Sequence, residues 1–257
     1  MNQEILGVRD LQKAFGGMRA IDALSFYVRE GQIKSVIGPN GAGKTTLFNL
    51  VTGVLRPTAG TFEFAGKRIE TLKPHVIAAL GISRTFQNVE LCGNMSALEN
   101  VMLGRHTRSF AGIFSSGFRL PAMRKEEQKI RTRALAELAF MGLDNKADSP
   151  ATSLPLGEQK LLEIARALAT EPRLILLDEP AAGLNIRETA TLAETIRKIR
   201  ERSITVMLVE HDMNLVMDIS DEVLVLSQGR KIAEGLPRDI QRNPEVIAAY
   251  LGEEGEC

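Results

Sequence analysis

Apolar residues lie along the chain in short runs that are separated by polar and glycine-containing turns. Runs of strand length occur at 33–37, 174–177, 204–209 and 223–226. Segments compatible with helices occur at 45–55, at about 187–202 and at 212–219. Alternation of strands and helices of these lengths is typical of a parallel sheet covered by helices. Because no apolar stretch approaches 18 residues, the pattern predicts no transmembrane helix.

The first thirty residues have a different pattern. Apolar and polar positions alternate between Ile5 and Val28 around a turn at Phe15-Gly16-Gly17, which predicts two antiparallel strands. Further on, the pattern predicts a short strand at 61–64, a weak helix at 72–80 and a strand at 82–86 that ends at Gln87. These segments follow the two antiparallel strands and precede the mostly helical middle of the chain.

The part of the chain from about 88 to 170 is mostly helical in its pattern. A capping box at Ser96-Ala-Leu-Glu99 opens a helix, and helical periodicity follows at 123–141 and 157–169. Residues 104–122 carry five large apolar residues among glycines and arginines, which indicates either a tolerated surface loop or a protein or membrane-surface contact. We expect one domain, in which a helical subdomain at 88–170 is inserted into a core made of 1–87 and 171–257. A turn at Gln228-Gly229 and a helix at 244–251 complete the core.

The composition narrows the class of protein. Hydrophobic residues make up 44% of the chain and charged residues 25%, as in ordinary globular proteins. Lys plus Arg and Asp plus Glu are both 32, so no overall positive field recruits nucleic acid, and none is expected as a partner. Two separated cysteines, Cys92 and Cys257, predict no disulfide framework and suit a reducing compartment. Residues 1–17 lack the pattern of a signal peptide.

The segment from Gly38 to Thr46 is the strongest chemical signal. It reads Gly-Pro-Asn-Gly-Ala-Gly-Lys-Thr-Thr and lies between a predicted strand and a predicted helix, as a phosphate-binding loop does. Its glycines allow backbone N–H groups to converge on phosphate oxygens. Lys44 supplies a charge for the β- and γ-phosphates, and the Thr45 hydroxyl is a ligand for Mg²⁺. We predict that the following residues contact a nucleotide: Gly38, Pro39, Asn40, Gly41, Ala42, Gly43, Lys44, Thr45 and Thr46.

Two carboxylates follow the apolar run 174–177. Asp178 ends the predicted strand, at the edge of the sheet where ligands bind in open α/β folds, and is expected to hold Mg²⁺, through water. Glu179 is adjacent and points in another direction, so it is positioned to polarise an attacking water. The sequence therefore predicts nucleotide hydrolysis.

With five further segments, these motifs resemble the ATP-binding cassette (ABC) family over nearly the whole chain. The matches follow the order of the family: Phe15, Gly38–Thr46, Gln87, Leu154-Pro-Leu-Gly-Glu158-Gln159, Asp178-Glu179, Ala182-Gly-Leu-Asn185 and His211. The resemblance implies an α/β fold of the P-loop NTPase class: a RecA-like parallel sheet core, an antiparallel β subdomain and an inserted α-helical subdomain. It also implies hydrolysis of ATP with Mg²⁺.

The resemblance assigns roles to residues that would mean little alone. Phe15 lies where the family stacks adenine. Gln87 would contact Mg²⁺ or the attacking water and report the ligand to the helical subdomain, and His211 would donate to the γ-phosphate. Lys44, Gln87, Glu179 and His211 are then the catalytic residues. The Mg²⁺ ligands are Thr45, Gln87 and Asp178.

The family signature departs from its usual Leu-Ser-Gly-Gly-Gln. In this family two subunits enclose ATP, and the signature of one faces the phosphate loop of the other. The residues implied in that role are Leu154, Pro155, Leu156, Gly157 and Glu158. Proline stands at the position of the serine, leucine replaces a glycine, and Ala182 and Asn185 replace the more usual Ser and Asp. These changes argue against two copies of this chain forming two fully competent ATP sites. We therefore expect a heterodimer with a cassette whose signature is intact, with self-pairing as the alternative.

A finer resemblance points to the larger of two ATPases in branched-chain amino acid importers. It depends on 19–25, the 104–122 insert, 162–168 and the tail at 243–252. It implies a peripheral subunit at the cytoplasmic face of the membrane, bound to two transmembrane permeases and served by a periplasmic or extracellular binding protein. The ATPases of urea or short-amide importers share much of this pattern. A non-transport ABC ATPase and a weakly hydrolysing regulatory module are alternatives of other classes.

Overall fold

The computed structural model describes residues 3–106 and 121–251 of the chain. In these ranges the strands form two sheets, and helices cover both faces of the larger one.

The smaller sheet is antiparallel. Its strands are β1 (Glu4–Phe15), β2 (Met18–Arg29), β4 (Ala59–Phe64) and β5 (Lys67–Arg68), in the order β2-β1-β4-β5. β1 and β2 form the predicted hairpin, with Gly16 at φ 57° in its turn. Val8 lies opposite Phe26, and both are buried, so the alternation of the sequence marks the face that packs on the core.

The larger sheet has six strands. They are β3 (Ile33–Ile37), β6 (Ile82–Arg84), β7 (Leu174–Asp178), β8 (Thr205–Val209), β9 (Glu222–Ser227) and β10 (Arg230–Gly235). Their order is β10-β9-β3-β8-β7-β6, and only the pairing of β10 with β9 is antiparallel. Because parallel strands all point the same way, the segments that follow β3, β7 and β8 meet at one edge.

The helices are bounded as follows: α1 (Lys44–Val51), α2 (Pro74–Leu80), α3 (Ala97–His106), α4 (Pro121–Phe140), α5 (Leu156–Leu168), α6 (Ile186–Glu201), α7 (Met213–Ile219), α8 (Pro237–Ile240) and α9 (Pro244–Leu251). Helix α3 begins with the predicted capping box, in which the Glu99 N–H donates to Ser96 Oγ at 3.2 Å and the Ser96 N–H to Glu99 Oε2 at 2.8 Å. Helices α3, α4 and α5 pack together and form the helical part of the chain.

Two large apolar clusters lie on opposite faces of the six-stranded sheet. Ile175 and Val206 point to the face covered by α3 to α6, whereas Leu176 and Met207 point to the face covered by α1 and the smaller sheet. This alternation follows from the two-residue period of a strand. Burial on both faces explains why the parallel strands read as continuous apolar runs.

A charged side chain lies in the apolar interior between the two sheets. Lys34 in β3 is completely buried, and its Nζ donates to the Tyr27 carbonyl at 2.7 Å, to Glu222 Oε2 at 2.8 Å and to Glu234. Burial acts to raise the pKa of Glu222, but the hydrogen bond and charge of Lys34, together with the Gln32 hydrogen bond and the Arg29 charge, hold that pKa below its usual range. Lys34 therefore links β2 of the smaller sheet to β3, β9 and β10 of the larger one.

The structure corrects several predicted boundaries. The helix expected at 45–55 ends at Val51, because Gly53 adopts φ 72°, a left-handed conformation that stops a helix. The strand expected at 82–86 ends at Arg84, where pairing with β7 stops. The sequence did not predict β5 or α8. Most of the 104–122 insert, residues 107–120, lies outside the described residues.

Within 3–106 and 121–251, the chain forms no helix with the length and apolar character needed to cross a bilayer.

Candidate active site

The phosphate loop joins β3 to α1, and its backbone depends on glycine. Gly38, Gly41 and Gly43 have φ values of 149°, 76° and 100°. A Cβ on Gly38 would lie 2.0 Å from the Leu226 carbonyl oxygen, and one on Gly43 would lie 2.6 Å from that of Ala20. The loop is therefore packed between the end of β9 and β2, and larger residues would push it out of place.

Lys44 is the first residue of α1, and its side chain is directed back along the loop. Its Nζ donates to the carbonyl of Gly38 at 2.6 Å and to that of Pro39 at 2.9 Å. The side chain is buried, whereas Thr45 is exposed and Thr46 is half-buried. The Lys44 ammonium group thus lies near the loop at the N-terminus of α1. Both the positive charge and the helix N-terminus favour the binding of phosphate oxygens.

Asp178 lies at the end of β7, as predicted, and has a partner that sequence reasoning missed. Arg84 donates to Asp178 Oδ2 at 2.7 Å and to Asn49 Oδ1 of α1 at 2.6 Å. Both charged side chains are almost completely buried. The sequence signal for this partner was a basic residue at the end of a predicted strand. The sequence does not show that this strand, β6, pairs with β7, and that pairing is what brings Arg84 next to Asp178.

Glu179 lies between two of the residues predicted to act with it. Gln87 Nε2 donates to Glu179 Oε2 at 2.8 Å, and His211 Nε2 lies 3.0 Å from Glu179 Oε1. We assign the proton in this contact to His211 Nε2, with the Glu179 carboxylate as the acceptor. The segments that follow β6, β7 and β8 thus bring the glutamine, the glutamate and the histidine together at one sheet edge.

A buried glutamate, Glu210, supports this arrangement and was also missed. Its Oε1 accepts from the Ala181 N–H at 2.7 Å, and its Oε2 accepts from the His211 N–H at 3.0 Å. Burial raises the pKa of Glu210 above its usual value, although the backbone hydrogen bonds act against the shift. Glu210 thereby fixes the loops that carry Glu179 and His211.

The oxygen donors proposed for Mg²⁺ have a chemistry that suits it. A threonine hydroxyl, a glutamine amide oxygen and a carboxylate, on Thr45, Gln87 and Asp178, are hard ligands of the kind this ion prefers. In the described part of the chain, no three His, Cys, Asp or Glu residues are grouped so that they could hold a metal. The three proposed side chains would leave the remaining coordination positions to phosphate oxygens and water.

The residues proposed for adenine and for the partner's nucleotide lie elsewhere. Phe15 is at the end of β1, 43% exposed, with Lys13 Nζ 4.9 Å from its ring centroid. Pro155 precedes α5, and Leu156 and Gly157 are in its first turn. Among the described residues, no hydrogen bond or ion pair joins Phe15 or 154–158 to Gln87, Glu179 or His211.

The signature segment contacts the helical part of the chain and α6. Leu154 and Gly157 are buried, and Pro155 and Leu156 are exposed. Glu158 forms an ion pair with Lys146 at 2.5 Å. Asn185, which replaces the usual Asp, caps α6 through a capping box with Glu188, whose side chain also lies against Gly157.

Comparison with known proteins agrees with this geometry. Residues 21–182 match the family described as ABC transporter, and residues 230–256 match one described as branched-chain amino acid ATP-binding cassette transporter. The chain is 44% identical over 254 residues to the high-affinity branched-chain amino acid transport ATP-binding protein LivG of Salmonella typhimurium, an alignment that covers 98% of this chain and all of LivG.

Solved structures have the same fold. The ADP conformation of an ATP-binding cassette of an ABC transporter superposes with a TM-score of 0.86 at 32% identity, covering 97% of this chain and 99% of that one. A dimeric post-hydrolysis cassette bound to ADP and Pi superposes with a TM-score of 0.77 at 26% identity, covering 91% of this chain and 99% of that one. The predicted P-loop NTPase fold is thereby confirmed, and the chain belongs to the ABC transporter ATP-binding family, in the group of the branched-chain amino acid transport ATP-binding proteins.

Proposed function

We propose that this chain is the ATP-hydrolysing subunit of an importer for branched-chain amino acids. The observation that carries the proposal is the position of Glu179, which is held between Gln87 and His211 at the sheet edge that also carries Asp178 and the phosphate loop. The cargo is inferred from the name of LivG and from the match at 230–256, since no residue described above would meet an amino acid.

ATP would be bound by the residues from Gly38 to Thr46, with Phe15 against the base. Lys44 is bonded to two carbonyls of its own loop, so it must exchange these for phosphate oxygens when nucleotide binds. Mg²⁺, held by Thr45, Gln87 and Asp178, would neutralise charge on the phosphates. Asp178 is held in place for this role by its buried pair with Arg84.

Hydrolysis would depend on Glu179. Its carboxylate accepts from Gln87 and His211 on two sides, so each oxygen has a fixed direction. A water placed between this carboxylate and the γ-phosphate would lose a proton to Glu179 as it attacks. When that water takes one of the hydrogen-bonding positions, the His211 Nε2–H is available to the γ-phosphate, where it would stabilise the developing charge.

The second half of each site would come from another cassette, as in the dimeric relative. Pro155 offers neither a hydroxyl nor an N–H to a facing phosphate, which favours a partner whose signature is intact. The two cassettes would be peripheral on the cytoplasmic face, bound to two permeases near Gln87 and served by a binding protein. Closure on ATP would turn the permeases outward, and hydrolysis would reset them.

The central test is Glu179→Gln, which keeps a hydrogen-bonding group but removes the base. We expect ATP binding close to wild type and turnover reduced by about 100-fold or more. Nucleotide affinity and single-turnover hydrolysis in the full-length chain would measure the two effects separately. Wild-type turnover in the variant would remove Glu179 from this role.

The cargo needs a separate experiment. The chain would be purified with the permeases, second ATPase and binding protein encoded beside its gene, and reconstituted in vesicles with ATP. We expect uptake of labelled leucine, isoleucine and valine that Glu179→Gln abolishes. Uptake of urea or acetamide instead would identify the short-amide alternative, and ATPase activity without any permease partner would favour a non-transport role.

A further inference from the structure

Helix α5, which begins inside the signature segment, extends a buried lysine to the loop that carries Glu179. Lys160 is only 6% exposed, and its Nζ donates to the main-chain carbonyl oxygen of Glu179 at 3.2 Å. The same oxygen accepts from the Ala182 N–H at 3.1 Å. The helical part of the chain therefore reaches the backbone of Glu179 without touching its carboxylate.

That backbone has a conformation that needs support. Glu179 has φ 48°, in the left-handed region that residues with a side chain rarely adopt. Its N–H donates to the Val209 carbonyl at 2.9 Å, and two residues later the Ala181 N–H donates to Glu210. These contacts come from the core, whereas the Lys160 contact comes from α5. A carboxylate on such a turn changes direction when the turn relaxes.

The same helix also reaches the segment that carries Gln87. Glu163, three residues after Lys160 and thus on the same side of α5, accepts from the Phe86 N–H at 3.4 Å. Gln87 in turn donates to Glu179 Oε2 at 2.8 Å. Lys160 and Glu163 therefore hold the two loops whose side chains meet at the proposed water site.

The charges of this cluster are costly to bury. Burial lowers the pKa of Lys160, although the carboxylates of Glu210, Glu163 and Glu179 act in the opposite direction. Burial raises the pKa values of Glu163 and Glu210 against their hydrogen bonds. Buried ion clusters contribute little to stability compared with well-packed apolar residues, so the arrangement is better explained by the geometry it fixes.

We propose that Lys160 is a positioning residue for ATP hydrolysis: by binding the Glu179 carbonyl, it keeps the Glu179 carboxylate aimed at the water only while α5 is docked on the core. The orientation of α5 then controls, within one subunit, whether the Glu179 carboxylate is placed for hydrolysis. The proposal rests on the role proposed for Glu179.

The test is Lys160→Met in the full-length chain, which keeps the length and apolar stem but removes the donor. We expect kcat for ATP to fall by about 30-fold, with KM and nucleotide affinity changed less than about 3-fold, because a displaced catalytic group slows the chemical step. Lys160→Arg keeps a donor and should recover most of the rate. The matched control is Lys198→Met on α6, an exposed lysine with a weak pair to Glu194 at 3.7 Å, which should be silent.

A double mutant separates positioning from a structural defect. If Lys160 acts through Glu179, adding Lys160→Met to Glu179→Gln will cause no further loss in single-turnover hydrolysis. Equal losses in both backgrounds, full kcat in Lys160→Met, or a change in KM alone would each overturn the proposal. Lys160→Gln serves the same comparison where the methionine variant does not fold. Retained turnover in Glu179→Gln would instead overturn the role of Glu179 itself.

Discussion

The phosphate loop and the signature segment both have glycine at the start of a helix, but they are built in different ways. The first has three glycines at positive φ and places Lys44 at the start of α1. The second has one glycine, begins α5 after a proline, and places Glu158 in the first turn. A helix start attracts anions, and here a carboxylate paired with Lys146 already occupies that position. Glycine at the start of a helix is therefore not enough for an anion site within one subunit, and in the phosphate loop Lys44 supplies the cation.

The largest expected effect is on the side of the phosphate loop. Lys44→Ala removes the charge that the loop holds 2.6 Å from the Gly38 carbonyl, and we expect ATPase activity to fall about 1,000-fold, with nucleotide affinity much reduced. Equilibrium binding of a fluorescent ATP analogue and steady-state turnover would measure both. Lys198→Ala, the same substitution at an exposed site, is the control. Affinity within a few fold of wild type would mean that the backbone alone binds the phosphates.

A matched pair of glycine substitutions compares the two backbones directly. In Gly38→Ala, the new Cβ would lie 2.0 Å from the Leu226 carbonyl at φ 149°, so the free energy of unfolding should fall by about 3 kcal/mol. In Gly157→Ala, the Cβ would meet the Glu188 carboxylate at 2.8 Å inside a helix that favours alanine, so the change should stay within about 1 kcal/mol. Chemical denaturation measures both. Equal losses would show that the signature backbone is as constrained as the loop.

The smallest expected effect comes from restoring the signature. Pro155→Ser supplies a helix cap with a hydroxyl and an N–H, which should stabilise the chain by about 1 kcal/mol and strengthen ATP-dependent self-association about 5-fold. The control is Pro155→Ala, which restores the backbone N–H without adding a hydroxyl. Sedimentation of the Glu179→Gln background with ATP would report association. Identical behaviour of the two variants would mean that the hydroxyl does not meet a phosphate.

The fold could be predicted from apolar runs and alternating apolar positions, because these patterns reflect which residues are buried. The strand at β7 and the hairpin of β1 and β2 follow from patterns that lie within a dozen residues. The phosphate loop is likewise local, so Lys44 and Thr45 could be named in advance. Boundaries were harder, since Gly53 ended α1 four residues before the apolar pattern did.

The supporting residues of the site could not be predicted from sequence, because each depends on contacts between distant segments. Arg84 is 94 residues from Asp178, and Lys160 looks like one more polar position on an amphipathic helix. Glu210 beside His211 could have suggested a solvated loop. The order β3-β8-β7-β6 and the packing of α5 on the core bring these side chains to Asp178 and Glu179. The signature segment was named from resemblance alone, and its place across a dimer stays a prediction.

The buried Lys34 has a consequence for the order in which the chain can acquire its structure. Its carboxylate partners, Glu222 and Glu234, lie 188 and 200 residues away in sequence. A nascent chain that has emerged only as far as β8 contains the whole phosphate loop, but the strand leading into it would still hold an unneutralised ammonium group. We therefore expect the strand before the nucleotide pocket to reach its native packing only once the last hairpin is present, so that ATP binding needs a nearly completed subunit.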